Sequence, residues 1–430
     1  MKLPRYPKYK DSGVKWLGQV PEHWEIKRLK RCVRLVTKRA TEQTNPIALE
    51  NLESWTGKYV PSDATYEAEG IAFGAGDILF GKLRPYLAKA YLATTAGEAV
   101  GDFFVMRPNK SVRSDFLKHF ILTKNSIDII DGSTYGAKMP RASWDFLGGI
   151  PIPVPSSDEQ ESISEFVRIE TAKIDELILE QQQLIELLTE KRHAVTSQAV
   201  TKGLDPDAPM KPSGVKWLDE VPAHWEVYRL TTLYREIIEA GNDELPILSV
   251  SIHSGVSDRQ LDEDEMDRKV NRSEDTAKYK KVLPGDLVYN MMRAWQGGFG
   301  TVTVPGQISP AYVVACPKSD FHTRFIELLL RTPQAIEEIR CNSYGVTDFR
   351  LRLYWDNFKI IRVALPPKEE QEKILARIEK MHQKFDQLIE ASNSSIASLQ
   401  ERRSVLISAA VTGQIDVRNY YPEEVATVCQ

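Results

Sequence analysis

The residues best suited to chemistry with a partner are basic side chains beside tight turns, and they occur in two sets. Lys82 and Arg84 follow an apolar run in GDILFGKLRP (76–85), and Lys138 and Arg141 follow a Tyr135-Gly136 turn in GSTYGAKMPRASWDF (132–146). The second set is Arg293 in GDLVYNMMRA (285–294), with Arg350 and Arg352 after Tyr344 in CNSYGVTDFRLRLYWDN (341–357). Arginine and lysine in such places can pair with guanine edges or with phosphates, and Tyr135 and Tyr344 complete a candidate DNA-binding set. For each cation the alternatives are a solvated surface charge and a local salt bridge.

Constellations for catalysis are missing. An adenine methylase needs an acidic-or-Asn Pro-Pro-aromatic motif and an F-x-G-x-G loop; neither occurs, and Phe73-Gly74-Ala75-Gly76 has the wrong spacing. There is no Walker A sequence, no HExxH, no GxSxG and no dinucleotide fingerprint. QGGFG (296–300) reads as a turn between strands rather than a phosphate cradle. His23 and His224 have no Cys or acid cluster at ligand spacing and read as hydrogen-bonded loop histidines. Trp16, Trp24, Trp217 and Trp225 invite stacking on bases, but their place beside Val20-Pro21 and Val221-Pro222 favours core packing. Cys32, Cys316, Cys341 and Cys429 lack CxxC spacing and read as reduced structural thiols. The expectation is a chain that catalyses nothing alone and holds no metal or cofactor of its own.

These residues sit in a duplicated frame. SGVKWLGQVPEHWEIKRL (12–29) returns as SGVKWLDEVPAHWEVYRL (213–230), identical at 13 of 18 positions and displaced by 201. GDILFGKLRP matches GDLVYNMMRA, and FFVMRP (103–108) matches YVVACP (312–317), both displaced by 209; these segments read as buried strands. A helical stripe of Phe116, Leu117, Phe120 and Ile121 after Ser114 recurs as Phe325, Ile326, Leu329 and Leu330 after Thr323. The displacement grows where the second copy carries a charged insertion, 257–275.

Two longer stretches complete the repeat. Residues 155–205 and 366–416, displaced by 211, each read as one long helix without internal Pro or Gly to about Val200 and Val411. Ser157 with Gln160 fits a capping box, and Pro367 fits a first helical turn. With Ile163 at heptad position a, Leu177 and Leu184 share its row, while Val167, Ile174, Leu188 and Val195 fall at d. The second copy places Ile374, Met381 and Leu388 at a, with Ile378, Phe385, Leu399 and Leu406 at d. Polar Gln181, Ser392 and Ser395 and charged Glu170, Lys191 and Arg402 interrupt this helix-pair seam.

Composition sets the outer bounds. Net charge is −4, yet residues 1–40 hold twelve Lys or Arg against three acids, so a basic surface and acidic helices cancel in the total. No apolar run approaches the roughly 18 residues of a membrane span, and the basic N-terminus lacks an apolar h-region, so a cytoplasmic location without membrane contact is expected. A helix of about 43 residues is on the order of 64 Å long. An antiparallel return by the second helix would relate two heads by a pseudo-two-fold axis and suit a long duplex as target.

The SGVKWL-type repeats, GDILFGKLRP and the PIPVPSSDEQ entry into a long helix, each with a second copy, resemble the specificity (S) subunit of type I restriction-modification systems. The resemblance implies an α+β chain with two mixed α/β target-recognition domains joined by two long antiparallel helices forming a coiled coil. The bounds expected are domain 1 at 1–154, helix 1 at 155–205, domain 2 at 206–365, helix 2 at 366–416 and a tail at 417–430. It further implies that each domain reads half of a bipartite, asymmetric double-stranded DNA site and that two methyltransferase subunits dock on the chain. S-adenosylmethionine would enter only with those subunits, and ATP only with added restriction subunits. The second half departs from the pattern, with Met291, Met292 and Ala294 where the first has Lys82, Leu83 and Pro85. Two other functional classes stay open: a two-headed coiled-coil adaptor that binds no DNA, and a methylase fused to its reader, which the missing motifs disfavour.

Overall fold

A computed structural model describes residues 4–40, 45–62, 70–136, 138–242, 244–252, 255–258, 278–345 and 351–420. The chain forms two compact units, Met1–Gln182 with Asn393–Gln430, and Gln183–Ser392.

Unit 1 is organised on an antiparallel sheet of β1 (Val33–Val36), β2 (Ile78–Gly81), β3 (Ala90–Leu92) and β4 (Phe103–Pro108), in the order β1-β4-β2-β3. Strand alternation feeds two cores. Ile78, Phe80 and Met106 face a large cluster with the helices, whereas Leu79, Phe103 and Val105 face a small cluster with Ile47, Leu52 and Phe73. The apolar stripe after Ser114 forms α1 (Ser114–Ile121), with Phe116, Leu117, Phe120 and Ile121 buried as expected. Its hydroxyl does not cap the helix: Ser114 Oγ donates to the Gly76 carbonyl at 2.7 Å and ties α1 to the turn before β2. Thr123 caps the next helix, α2 (Lys124–Gly132), accepting from the Ser126 amide.

The first long helix, α3, spans Ser157–Lys202. The expected Ser157 and Gln160 box is replaced by another arrangement. Ser156 Oγ accepts from the Glu159 amide, while Gln160 accepts from the Arg113 amide (2.7 Å) and donates to the Pro155 carbonyl (2.9 Å). Gln160 therefore locks the helix entrance to the loop before α1 instead of capping its own helix.

Unit 2 repeats the plan. Its sheet is β5 (Tyr234–Glu236), β6 (Leu287–Asn290), β7 (Phe299–Thr301) and β8 (Tyr312–Pro317), in the order β5-β8-β6-β7. Helices α4 (Thr323–Leu330) and α5 (Pro333–Cys341) follow, and the second long helix, α6, spans Lys368–Val411. Thr323 Oγ1 bonds the Gly285 carbonyl as Ser114 bonds Gly76, and Gln371 joins the His322 amide to the Pro366 carbonyl as Gln160 does in unit 1. QGGFG is the turn expected: Gly297 has φ +87° and leads into β7, and a Cβ on Gly300 would lie 2.3 Å from the Val256 nitrogen. Most of the charged insertion, from residue 259, lies outside the described residues, as does Cys429; Cys32, Cys316 and Cys341 are free thiols.

In each unit one end of α3 packs against the opposite end of α6. In unit 1 Ile163, Phe166 and Val167 share a core with Ile407, Ala410 and Val411; in unit 2 Ala199 and Val200 share one with Ile374 and Ile378. The polarity of both contacts is antiparallel. An ion pair marks each, Asp175 with Arg403 (3.0 Å) and Asp386 with Arg192 (2.7 Å), and the repeat displacement of 211 converts one pair into the other.

The seam needs one correction. Ile163, Val167, Ile174, Ile374 and Ile378 are buried and Leu188, Met381, Phe385 and Leu399 partly so, but Leu177 (46% exposed), Leu184 (42%) and Leu388 (52%) point outward. Ile178, Ile185 and Ile389 are the partly buried residues beside them. Ile163 is buried among residues of the globular core, where the apolar stripe is broad and includes Phe166 as well as Val167. Phasing a strict heptad from it displaces one row by a residue further along.

Candidate nucleic-acid interface

In unit 1 the predicted residues converge. The strand β2 ends at Gly81, and the following turn pairs with the segment after Tyr135: Ala142 donates to the Lys82 carbonyl (2.8 Å) and Arg84 to the Pro140 carbonyl (2.8 Å). Tyr135 and Arg141 exchange backbone hydrogen bonds at 3.1 and 3.3 Å. Lys82, Arg84, Tyr135 and Arg141 thus belong to one turn pair, with exposed Lys138 on its connecting loop. Arg84 has φ +50°, a left-handed backbone that costs a non-glycine residue on the order of 1 kcal/mol, and its side chain is exposed.

Asp102, just before β4, was not among the sequence candidates. Its carboxylate receives Arg141 Nη2 at 3.0 Å and lies 3.5 Å from Lys82 Nζ. Burial pushes the Asp102 carboxyl upward, but the Arg141 hydrogen bond and charge, with Lys82 behind them, outweigh it and hold the group below the usual carboxylate range. Lys82 Nζ also lies 6.0 Å from the Phe104 ring centre. Tyr135 is 64% exposed beside this cluster and presents a flat face.

Unit 2 keeps the backbone frame and changes the side chains. Tyr344 and Arg352 exchange backbone bonds at 3.0 and 2.9 Å, and Leu353 donates to the Met291 carbonyl at 2.9 Å. Met291 and Ala311 stand where the frame has Lys82 and Asp102. Arg352 and Tyr344 are exposed and Arg293 is half-buried; Arg350 lies outside the described residues. Arg293 joins this region through the turn after β6, where its amide donates to the Asn290 carbonyl. Among the described residues no carboxylate pairs with Arg352.

The histidine and tryptophan pairs have structural roles. Trp24 is fully buried, its indole donates to Glu159 Oε1 at 3.0 Å, and His23 meets Oε2 at 2.9 Å. Trp225, His224 and Glu370 repeat the contact, with the indole bond at 3.1 Å. A second duplicated carboxylate has exchanged its arginine partner for a cysteine. Asp77 forms two hydrogen bonds with Arg107, at 2.6 and 2.7 Å, whereas Cys316 replaces that arginine beside Asp286. Burial pushes the Asp286 carboxyl up, against the Leu283 amide that it accepts. Neither Asp102 nor these carboxylates could be found by motif, because each acts through a residue distant in sequence.

Among the described residues no helix is long and apolar enough to cross a membrane. No family model matches the chain. It is 24% identical over 334 residues to the type I restriction enzyme EcoKI specificity subunit of Escherichia coli K12, covering 72% of this chain and 68% of that protein. It is 22% identical over 454 residues to the MjaVIII specificity subunit of Methanocaldococcus jannaschii, covering 96% and 98%. A shorter match, 28% over 158 residues, spans only 35% of the EcoDI specificity subunit of Escherichia coli. The fold is similar to a solved chain described for complex assembly and conformational transition of a type I R-M system, with TM-score 0.67 and 17% identity over 91% of this chain and 98% of that one. The HsdS subunit from Thermoanaerobacter tengcongensis gives TM-score 0.50 at 17% identity, over 92% and 98%. With its duplicated α/β frame and two long helices, the chain is similar over nearly its whole length to type I restriction-modification specificity subunits.

Proposed function

We propose that this chain is the DNA-reading subunit of a type I restriction-modification assembly. Residues 1–154 and 206–365 are its two target-recognition domains, each reading one half of a bipartite double-stranded site, and the long helices at 155–205 and 366–416 set the spacing and carry two methyltransferase subunits. The observation that carries this reading is the repeated turn pair: the same backbone frame presents Arg84, Lys138 and Arg141 beside Tyr135 in unit 1, and Arg352 beside Tyr344 in unit 2. Cations on a rigid frame next to exposed aromatic faces suit phosphate and base-edge contact. The chain itself is non-catalytic and cytoplasmic; S-adenosylmethionine enters with the methyltransferase subunits and ATP with restriction subunits.

The test is equilibrium binding of the chain, assembled with its methyltransferase partner, to duplexes scanned by single base-pair changes. Salt-sensitive binding that drops on changes in two separated clusters supports the reading. Equal binding to every duplex refutes it, and absence of both heparin retention and DNA competition would favour the adaptor.

A further inference from the structure

We propose that unit 1 reads a guanine in its half-site through Arg141, with Asp102 as the positioning residue that fixes the guanidinium; this rests on the DNA-reading function above. Both ends of Arg141 are held. Its backbone is locked to Tyr135 by a reciprocal pair of hydrogen bonds, at 3.1 and 3.3 Å. Its Nε and Nη2 meet Asp102 Oδ2 at 3.3 and 3.0 Å, and its side chain remains 40% exposed.

A guanidinium has five N–H donors in a planar fork. Asp102 occupies the edge formed by Nε and Nη2, so the donors of Nη1 and the outer donor of Nη2 are left for a second coplanar acceptor pair. Guanine O6 and N7 form such a pair in the major groove, and adenine does not, because an amino donor stands in place of O6. Fixing the fork before binding also removes rotamer entropy that a free arginine loses on contact.

Lys82 explains how a carboxylate is tolerated at a DNA-facing surface. With Lys82 Nζ 3.5 Å from Asp102 and Arg141 bonded to it, the trio carries a net positive charge, so the anion is screened from phosphates. Unit 2 supplies the contrast within the same molecule. Its frame holds Arg352 by the same backbone pairing with Tyr344, but Ala311 and Met291 stand in place of Asp102 and Lys82. Among the described residues, buttressed recognition is therefore confined to unit 1.

The test uses the complete assembly. Methylation mapping in cells defines the target of the wild type, and the exchange of residues 30–150 identifies the half-site that unit 1 reads. D102A and R141A are then compared on duplexes carrying every single base-pair change. The expected result is loss of roughly tenfold to hundredfold discrimination at one G·C pair of that half-site for both variants. D102A should leave the salt slope and the other half-site unchanged, and D102N should be intermediate. Recognition of the other half-site reports that each variant is folded. If R141A instead weakens all duplexes equally and lowers the salt slope by about one, Arg141 contacts a phosphate and the guanine assignment falls while DNA reading stands. Relaxation at an A·T pair overturns the assignment too. If D102A changes nothing while R141A relaxes the G·C pair, the positioning role of Asp102 is overturned. If R141A, R84A and D102A all leave binding and target unchanged, the reading surface itself is wrong.

Discussion

Removing the Glu159 carboxylate isolates an indole N–H inside a closed core, and the repeat provides the control. The Glu159 side chain is 3% exposed and its Oε1 is the acceptor for the fully buried Trp24 ring. In E159A that donor keeps no partner, which costs about 1–3 kcal/mol. Loss of an acid from the first turn of α3 adds about 0.3–1 kcal/mol, and relief of carboxylate desolvation offsets part of both. His23 is half-exposed and turns to water at little cost. The net expectation is a local loss of about 2–3 kcal/mol. Glu370 makes the same contacts in unit 2, but its side chain is 28% exposed, so water reaches the vacated position and E370A should cost roughly 1 kcal/mol. E159Q keeps an acceptor for Trp24 and a donor for His23 and should lose less than about 1 kcal/mol. Hydrogen exchange against urea, followed in peptides covering 19–32 and 220–233 of the full chain, measures both units separately. Equal losses for E159A and E370A, or a glutamine as harmful as the alanine, would refute the reasoning.

Other expectations follow from the same contacts. Asp286→Asn should remove a pH dependence from unit 2: burial raises the folded-state carboxyl above its unfolded value, so wild-type stability falls as pH rises from the unfolded pKa through the raised folded one, and urea titrations across that acid window should show the fall in wild type only. Gly57→Ala should destabilise unit 1, since φ is +66° and a Cβ would stand 1.9 Å from the Ala90 carbonyl oxygen; an unchanged melting curve would contradict it. Asp175→Asn should cost more than Asp386→Asn, because Asp175 is 23% exposed and binds both Lys58 and Arg403, whereas Asp386 is 59% exposed and should change stability by only a few tenths of a kcal/mol; 1 M salt should shrink both effects in unfolding titrations. Exchanging residues 30–150 should alter one half-site in methylation mapping; a change in both contradicts independent reading.

How much of this was legible in the sequence follows from what each contact rests on. Strand and helix identities came through because their signals are local: FFVMRP is β4 and YVVACP is β8, residue for residue, and the stripes after Ser114 and Thr323 are buried as their spacing requires. The turn pair was also visible, since Tyr135 with Arg141 and Tyr344 with Arg352 are close in sequence. The hydroxyl and amide roles were not. Ser114, Thr323 and Gln160 sit where local caps are expected, yet bond to carbonyls and amides 38 to 47 positions away. Asp102 carries no local signal because its partner Arg141 is 39 positions on, and a heptad phased from Ile163 departs from the packed row because Ile163 belongs to the globular core.

The duplication preserves some contacts and discards others. Several of those kept in both units end on backbone or on the tryptophan, Ser114 and Thr323 on a glycine carbonyl, Gln160 and Gln371 on the helix entrance, Glu159 and Glu370 on an indole, and the helix ion pairs Asp175–Arg403 and Asp386–Arg192 are kept as well. Those that end on backbone or indole specify the frame, and a change in either copy would unseat the sheet or the helix. Other positions differ between the copies. Asp77 and Arg107 become Asp286 and Cys316, Lys82 and Asp102 become Met291 and Ala311, and half-buried Lys118 becomes Glu327, fully buried and bonded to Thr301. On the proposed DNA-reading function, the change that bears on the target is the one beside the turn pair, Lys82 and Asp102 to Met291 and Ala311, because two half-sites would differ through the side chains around the two turns.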